Sequence, residues 1–141
     1  MKNKWLSGMA LCVAALGAQA QTGDESVTIP APRLKIELPA QRYHMSAADL
    51  KEFRGTYELA NGQVLKLRGF GASLYGEVDE QGEHRMIAAN HNTFVALDRK
   101  LQVRIDHDRD GEAGGEVLMA VPMRVAETGE IGEQVVRLAT R

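Results

Sequence analysis

The sequence has 141 residues, of which 17 are basic and 19 are acidic, and its formal net charge is −2. This length suits one domain of ordinary size. A mildly acidic chain without a block of lysine or arginine argues against a nucleic acid or an anionic membrane as partner.

The first twenty residues have the three-part layout of a secretory signal peptide. Two lysines near the start are followed by an uncharged apolar run over residues 5–18, and small residues, Ala18 and Ala20, stand at the positions that precede a scissile bond to Gln21. The apolar run is shorter than the roughly 20 residues that a membrane-spanning helix needs. We therefore predict a signal peptide over 1–20, a periplasmic or secreted mature protein, and no membrane anchor after cleavage.

Cleavage would also change the composition of the chain. It removes Lys2, Lys4 and Cys12, which leaves 15 of the 17 basic residues against 19 acidic ones, so the formal charge changes from −2 to −4. The single cysteine is lost, so the stability of the mature protein must come from a packed core without disulfides.

Residues 21–45 have the composition of a tether. This segment contains three prolines, Pro30, Pro32 and Pro39, and their close spacing favours extended backbone over a helix or a central strand. Apolar residues alternate with charged ones between 33 and 38, which allows one short edge strand that docks on the following domain.

Residues 46–141 form the predicted β domain, which begins with a short helix. Ser46 is suited to cap this helix, and Asp49 favours the positive end of a helix. Leu50 and Phe53 are three residues apart and would share the buried side.

From residue 55 onward the pattern changes to short alternating strands separated by turns. Asn61-Gly62 predicts a two-residue hairpin turn, with Tyr57 and Leu65 facing one core. About eight strands without strand-helix-strand alternation predict an all-β domain: an antiparallel meander that forms a small barrel or a strongly bent sheet, preceded by one short helix. The further predicted strands are 73–78, 85–89, 93–97, 101–105, 116–121 and 135–139.

Alternation along these strands predicts the side chains that face the core. Such a core is small but sufficient for one domain. The predicted inward set is Tyr57, Leu59, Leu65, Leu67, Leu74, Val78, Ile87, Val95, Leu97, Val103, Ile105, Val117, Met119, Val121, Val136 and Leu138.

Several short motifs between Leu50 and Val121 occur in an order that is typical of a known group of β domains. They are the run from Phe53 to Leu59, Asn61-Gly62, Leu65-Lys66-Leu67, Leu74-Tyr75, Thr93-Phe94, and Val103-Arg104-Ile105 leading into Asp108-Arg109-Asp110-Gly111. In these motifs the chain resembles a family of small lipocalin-like β domains of unknown function, which are often appended to the C-terminus of serine β-lactamase-like hydrolases. The resemblance implies a closed or half-closed antiparallel barrel with an accessory or binding role. The motifs that carry the resemblance include no hydrolase domain, and no catalytic residue of those hydrolases has a counterpart among them.

The segment 106–112 contains the candidate metal ligands Asp106, Asp108, Asp110 and Glu112. Alternate aspartates ahead of a glycine place oxygen ligands as a calcium loop does. The full motif has a bidentate Glu at its twelfth position, which is Val117 here. The alternative interpretation is a hairpin turn in which Asp and Gly serve turn geometry.

The sequence contains no pattern that points to catalysis. Ser26, Ser46 and Ser73 all lie outside a Gly-x-Ser-x-Gly motif, and the four histidines lack metal-ligand spacing. We therefore expect no catalytic residue and no cofactor apart from a weak calcium ion. The sequence favours an exported, non-enzymatic β domain that binds a partner protein or a small apolar ligand. The alternatives are a calcium-stabilised extracytoplasmic module and an enzyme whose site the sequence does not identify.

Overall fold

The structure is a computed structural model that describes residues 33–140. The predicted signal peptide and the first part of the tether lie outside the described residues. None of the helices within 33–140 has the length and apolar composition to span a membrane.

The described residues form one helix followed by eight strands. Each strand pairs antiparallel with the next, so that the strand order in the sheet is the order in the chain. This arrangement confirms the predicted all-β meander with one short helix before it. The elements are α1 (Ala47–Glu52), β1 (Gly55–Glu58), β2 (Val64–Phe70), β3 (Ser73–Val78), β4 (Glu83–Ala88), β5 (Thr93–Ala96), β6 (Leu101–His107), β7 (Ala113–Arg124) and β8 (Ile131–Thr140).

The sheet is strongly bent, because its first and last strands meet at one end. Leu59, which follows β1, forms an antiparallel bridge with Thr140 at the end of β8. Among residues 33–140 the two edge strands share this bridge and no ladder. The bent sheet is therefore confirmed, and the small barrel stays a prediction.

Helix α1 begins as its sequence predicts. The Ser46 hydroxyl accepts a hydrogen bond from the Asp49 amide at 3.2 Å, and the Asp49 carboxylate accepts one from the Ser46 amide at 2.9 Å. This reciprocal capping satisfies amide groups that have no partner within the helix. Leu50 and Phe53 are both buried against the sheet, as predicted.

The β1–β2 hairpin places Tyr57 opposite Leu65, and both side chains are buried as predicted. Its turn differs from the predicted two-residue turn. The amide of Leu59 donates to the carbonyl of Gln63 at 2.8 Å, so the loop has three residues, and among them only Gly62 has a positive φ, +84°. A three-residue loop that ends in a left-handed residue is a common hairpin connection. It moves the pairing by one residue relative to a two-residue loop, and this shift is what sets Tyr57 opposite Leu65.

Most of the predicted inward side chains do form the main core, but the prediction is wrong for β4 and β5. Val95 lies on the opposite face of the sheet, Ile87 is half-buried, and Leu97 is exposed. Residues 93–97 are apolar at nearly every position, so alternation alone does not determine which side faces inward. The side chains of β4 and β5 that face the core are Met86, Ala88, Phe94 and Ala96.

The tether docks on the second face of the sheet through one side chain. Ile36 is 6% exposed and packs with Val95 and Leu118. No strand is assigned between residues 33 and 45, so the edge strand that the alternation allowed is not formed. The segment contacts the sheet through this packing and through the Tyr43 amide, which donates to the Ala88 carbonyl of β4 at 2.9 Å.

Candidate functional site

A cavity of 260 Å³ lies between the segment 42–45, α1 and the strands β3 to β5. Its apolar wall is made of buried side chains from four separate elements, which are Leu50, Leu74, Met86 and Phe94. The lining also includes polar residues, which are Arg42, Tyr43, His44, Ser73 and Arg85. An apolar wall with a few polar groups is the usual composition of a small-molecule site.

Two contacts hold the segment 42–45 in place at the edge of this cavity. The amide of Tyr43 donates to the carbonyl of Ala88 on β4 at 2.9 Å, and Met45 packs against the main core. The capped start of α1 follows directly and carries Leu50 into the cavity wall. Hydrogen bonds from the Ser46 hydroxyl and amide, with a smaller contribution from the nearby charge of His44, lower the pKa of Asp49 below its ordinary value.

Two exposed arginines, Arg42 and Arg85, are among the residues that line the cavity. Within residues 33–140 neither guanidinium forms an ion pair or a side-chain hydrogen bond, and no Asp or Glu is among the lining residues. Because side chains alternate along a strand, Arg85 belongs to the face of β4 opposite Met86 and Ala88, which face the main core.

The tip of the β2–β3 hairpin forms another part of the cavity rim and is positioned by Arg54. The Arg54 guanidinium donates to the carbonyl of Gly71 at 3.3 Å. It also lies across Gly69, where an added Cβ atom would overlap it. The tip places Ala72 in the cavity lining and leaves Phe70 86% exposed beside it.

The predicted calcium ligands lie at the end of β6 and in the turn to β7. Asp106 forms an ion pair with Arg104 at 3.2 Å and accepts a hydrogen bond from the side-chain Nδ2 of Asn92 at 2.8 Å. The carbonyl of Glu112 accepts from the amide of Asp108 at 2.9 Å, which closes the hairpin. These contacts place the candidate ligands at the end of β6 and in the β6–β7 turn.

The remaining aspartates of the loop are exposed. Asp108 accepts a hydrogen bond from the Arg109 amide at 2.6 Å, and Asp110 has an exposed side chain in the turn. In the part of the chain that the structure describes, no group of three or more His, Cys, Asp or Glu residues is arranged to hold a metal ion. The calcium site stays a prediction.

A polar pair, His84 and Asp98, links β4 to the β5–β6 turn. His84 Nδ1 lies 2.6 Å from an Asp98 carboxylate oxygen. Partial burial by itself raises the pKa of Asp98, but hydrogen bonds from His84 and from the Lys100 amide outweigh it, so the pKa is lowered overall. Asp98 is 49% exposed, so this pair is a surface contact and not an enclosed acid–base dyad.

The sequence alone did not identify the cavity. Its lining combines residues of the tether, the helix, a turn and three strands, and the basic residues Arg42, His44 and Arg85 follow no motif. The one available signal was the position of basic residues in the tether next to an apolar strand pattern. No protein-family model, no curated protein and no solved structure matches the chain.

Proposed function

We propose that this chain is an exported, non-enzymatic β domain that binds a small ligand with an apolar body in the cavity between residues 42–45, α1 and β3–β5. The observation that carries the proposal is the combination of a buried apolar wall with an open polar mouth in one cavity. The volume of 260 Å³ is slightly below the range of about 300–1,000 Å³ that is typical of drug-sized ligands. A small ligand therefore fits best.

Apolar surface that the ligand covers would supply the driving force for binding. Leu50, Leu74, Met86 and Phe94 form the floor of the cavity and are at most 5% exposed, so the accessible apolar surface comes mainly from the rim, where Tyr43 is 49% exposed and Met45 is partly buried. Burial of apolar surface contributes about 25 cal/mol per Å², or about 0.8 kcal/mol for each methylene group. The gain for a short alkyl chain or a single ring is set by the area covered at this rim, and the cost of immobilising the ligand opposes it.

Export and the lack of catalysis are parts of the same proposal and are supported by the sequence. Residues 1–20 have the layout of a signal peptide, and no pattern of nucleophile and base occurs in the chain. An exported binding domain without enzymatic activity also agrees with the role that the resemblance to lipocalin-like β domains implies.

We further propose that the sheet closes into a small barrel. The bridge between Leu59 and Thr140 supports closure, as does the amide of Ala60, which donates to the carbonyl of Ala139 at 2.8 Å. Closure would pair the backbone amide and carbonyl groups where the outer edges of the first and last strands meet. It would also enclose the main core on all sides by strands, as expected for a lipocalin-like domain.

Native mass spectrometry of protein purified gently from the extracytoplasmic fraction tests the binding proposal. We expect a bound small molecule in addition to the mass of the chain. Ala72→Phe places a ring at the cavity rim and should abolish retention of the ligand, whereas Ala126→Phe, in the exposed β7–β8 turn, should not. Equal retention by both variants, or a protein partner in place of a small molecule, would contradict the proposal.

A further inference from the structure

We infer that the outer edge of β8 is a pairing surface for a second copy of this chain, which adds its own β8 in antiparallel orientation and joins the two sheets. This edge takes no part in the cavity lining, so the pairing is a further property beside ligand binding. Three observations support it: the direction of the backbone groups of β8, the protection of the other edges, and the register in which β8 pairs with itself.

The first observation is the direction of the backbone groups along β8. The amide of Ala120 on β7 donates to the carbonyl of Lys100, so even-numbered residues of β7 bond towards β6 and odd-numbered ones towards β8. The β7–β8 register sets those odd-numbered residues opposite even-numbered residues of β8. The odd-numbered residues of β8 therefore direct their amide and carbonyl groups outward. The carbonyl of Ala139 agrees with this, because it accepts the amide of Ala60 from outside the β7–β8 ladder.

Four outward-facing residues of β8 have backbone groups without a hydrogen-bond partner in the part of the chain that the structure describes. They are Ile131, Glu133, Val135 and Arg137. The bridge between Leu59 and Thr140 is antiparallel, so β1 extends from it towards the end of the chain and away from residues 131–137. This stretch therefore presents a row of donors and acceptors to which a further strand can pair.

The second observation is that the other edges of the sheet are protected against such pairing. Strand β1 has only four residues, and short edge strands limit pairing. Where β7 extends past the start of β6, its open edge carries Pro122, which has no amide hydrogen to donate on that side. Strand β8 has ten residues and contains neither proline nor lysine. Its two charged side chains, Glu133 and Arg137, form ion pairs with residues of their own sheet.

The third observation is that β8 can pair with a second β8 along the whole open stretch. A twofold axis beside Gln134 sets Glu133 opposite Val135 of the second copy and Ile131 opposite Arg137 of the second copy. All four outward-facing residues are then paired, and each pair of opposite residues exchanges two hydrogen bonds. The same surface serves both copies, as a twofold dimer requires.

Neighbouring registers are less favourable. A shift that sets Val135 opposite its own copy brings Ile131 against Ala139, whose carbonyl already accepts the amide of Ala60. The opposite shift sets Glu133 opposite Glu133 of the second copy, and like charges in this position are destabilising. In the register centred on Gln134 each charged residue faces an apolar one. The side chain of Ile131, which is 75% exposed in the single chain, is covered there by the aliphatic part of the arginine.

Sedimentation velocity of the purified protein tests the inference. An interface of one strand edge from each copy is small, so we expect a weak dimer. Between about 10 and 500 µM the weight-average mass should rise from that of one chain towards that of two. A protein that remains monomeric over this range would overturn the inference, whereas binding of a small ligand in the cavity would be unaffected.

Glu133→Pro removes an outward amide hydrogen from the edge of β8 without removing a bond to β7. The side chain of Glu133 is 56% exposed, and Gly132 before it tolerates the restriction that a following proline imposes. The variant should weaken dimerisation at least about tenfold. Thr56→Pro is the matched control, because Thr56 is exposed on the outer edge of β1 and also follows a glycine, Gly55. It should dimerise as the wild type does.

A second pair of variants changes only exposed side chains and decides the question if the proline variant fails to fold. Ile131→Lys places a positive charge opposite Arg137 of the second copy and should also weaken dimerisation at least about tenfold. Phe70→Lys removes an apolar side chain that is 86% exposed at the β2–β3 turn, far from β8 in the strand order, and should have no effect. A dimer that persists in Ile131→Lys, or that Phe70→Lys dissociates, would overturn the inference, because another surface would then form the contact.

Discussion

Gly115 lies directly against the main-chain carbonyl of Arg104, and a Cβ atom at Gly115 would overlap that carbonyl oxygen. Gly115 also has a φ of +147°, a conformation that residues with side chains rarely adopt. It pairs with Ile105 in the middle of the β6–β7 ladder. The close approach of two strands at this point therefore depends on glycine.

The first prediction is that Gly115→Ala destabilises the domain by at least about 3 kcal/mol, from backbone strain together with overpacking. The neighbouring Gly114 provides the control, because nothing lies within 4 Å of a Cβ atom added there. Gly114→Ala should change the free energy of unfolding by less than about 1 kcal/mol. Urea denaturation measures the free energy of unfolding of both variants. Similar losses in the two would show that the contact with Arg104 does not determine the effect of Gly115→Ala.

The second prediction tests the orientation of β5. Phe94 is fully buried and packs edge-on against Phe53 with ring centroids 4.9 Å apart, whereas Leu97 is 36% exposed. Phe94→Ala should therefore cost about 3–5 kcal/mol of unfolding free energy. Leu97→Ala should cost less than about 1 kcal/mol. The reverse ranking would mean that β5 presents its other face, with Leu97, to the main core.

The third prediction concerns the pH dependence of stability. The pKa of Asp98 is lowered in the folded protein from its ordinary value of 3.8, so the folded state favours the ionised carboxylate. The stability that this preference contributes is present above about pH 4 and is lost as the pH falls through the lowered pKa. Asp98→Asn should destabilise the protein at about pH 6 by no more than about 1 kcal/mol, because the pair is exposed. The difference between wild type and variant should vanish in acid.

Urea titrations across this pH range measure that difference. Asp110→Asn is a suitable comparison, because the Asp110 carboxylate is exposed and has no hydrogen-bond partner among residues 33–140. A wild-type advantage over Asp98→Asn that persists unchanged below pH 3 would contradict the assignment of the effect to ionisation of Asp98.

The fourth prediction follows from the calcium hypothesis for residues 106–112. If these residues form a weak site, calcium at about ten times its dissociation constant stabilises the protein by about 1.4 kcal/mol. Asp108→Asn should remove this gain, and Glu127→Gln in the β7–β8 turn should preserve it. Melting temperatures at fixed ionic strength provide the measurement. A wild-type protein that is insensitive to calcium would leave the loop as a hairpin turn.

The fifth prediction is that the exported protein begins at Gln21. The peptidase site accepts small residues at the positions of Ala18 and Ala20. Ala18→Arg should therefore block cleavage, while Gln19→Arg, at the position between them, should permit it. Intact-mass analysis distinguishes the cleaved and uncleaved chains, and a cytoplasmic, uncleaved wild-type protein would overturn the prediction of export.

The sequence by itself determined the features that depend on neighbouring residues. Ser46 and Asp49 form the predicted helix cap, and Ser73–Val78 is a strand with the predicted bounds. Capping and alternation involve groups only a few positions apart, so the local sequence is sufficient to predict them. The succession of short strands and turns was sufficient for the same reason to predict an antiparallel meander.

The tertiary structure decided the features in which distant residues meet. The inward orientation of Phe94 depends on its pairing with Ala88 and Val103, because the apolar run of β5 would suit either face. The cavity is assembled from the tether, α1 and three strands, so neither its volume nor its lining follows from any local pattern. Residues 42–45 join this lining because the Tyr43 amide binds the Ala88 carbonyl of β4, which is a consequence of packing and not of sequence spacing.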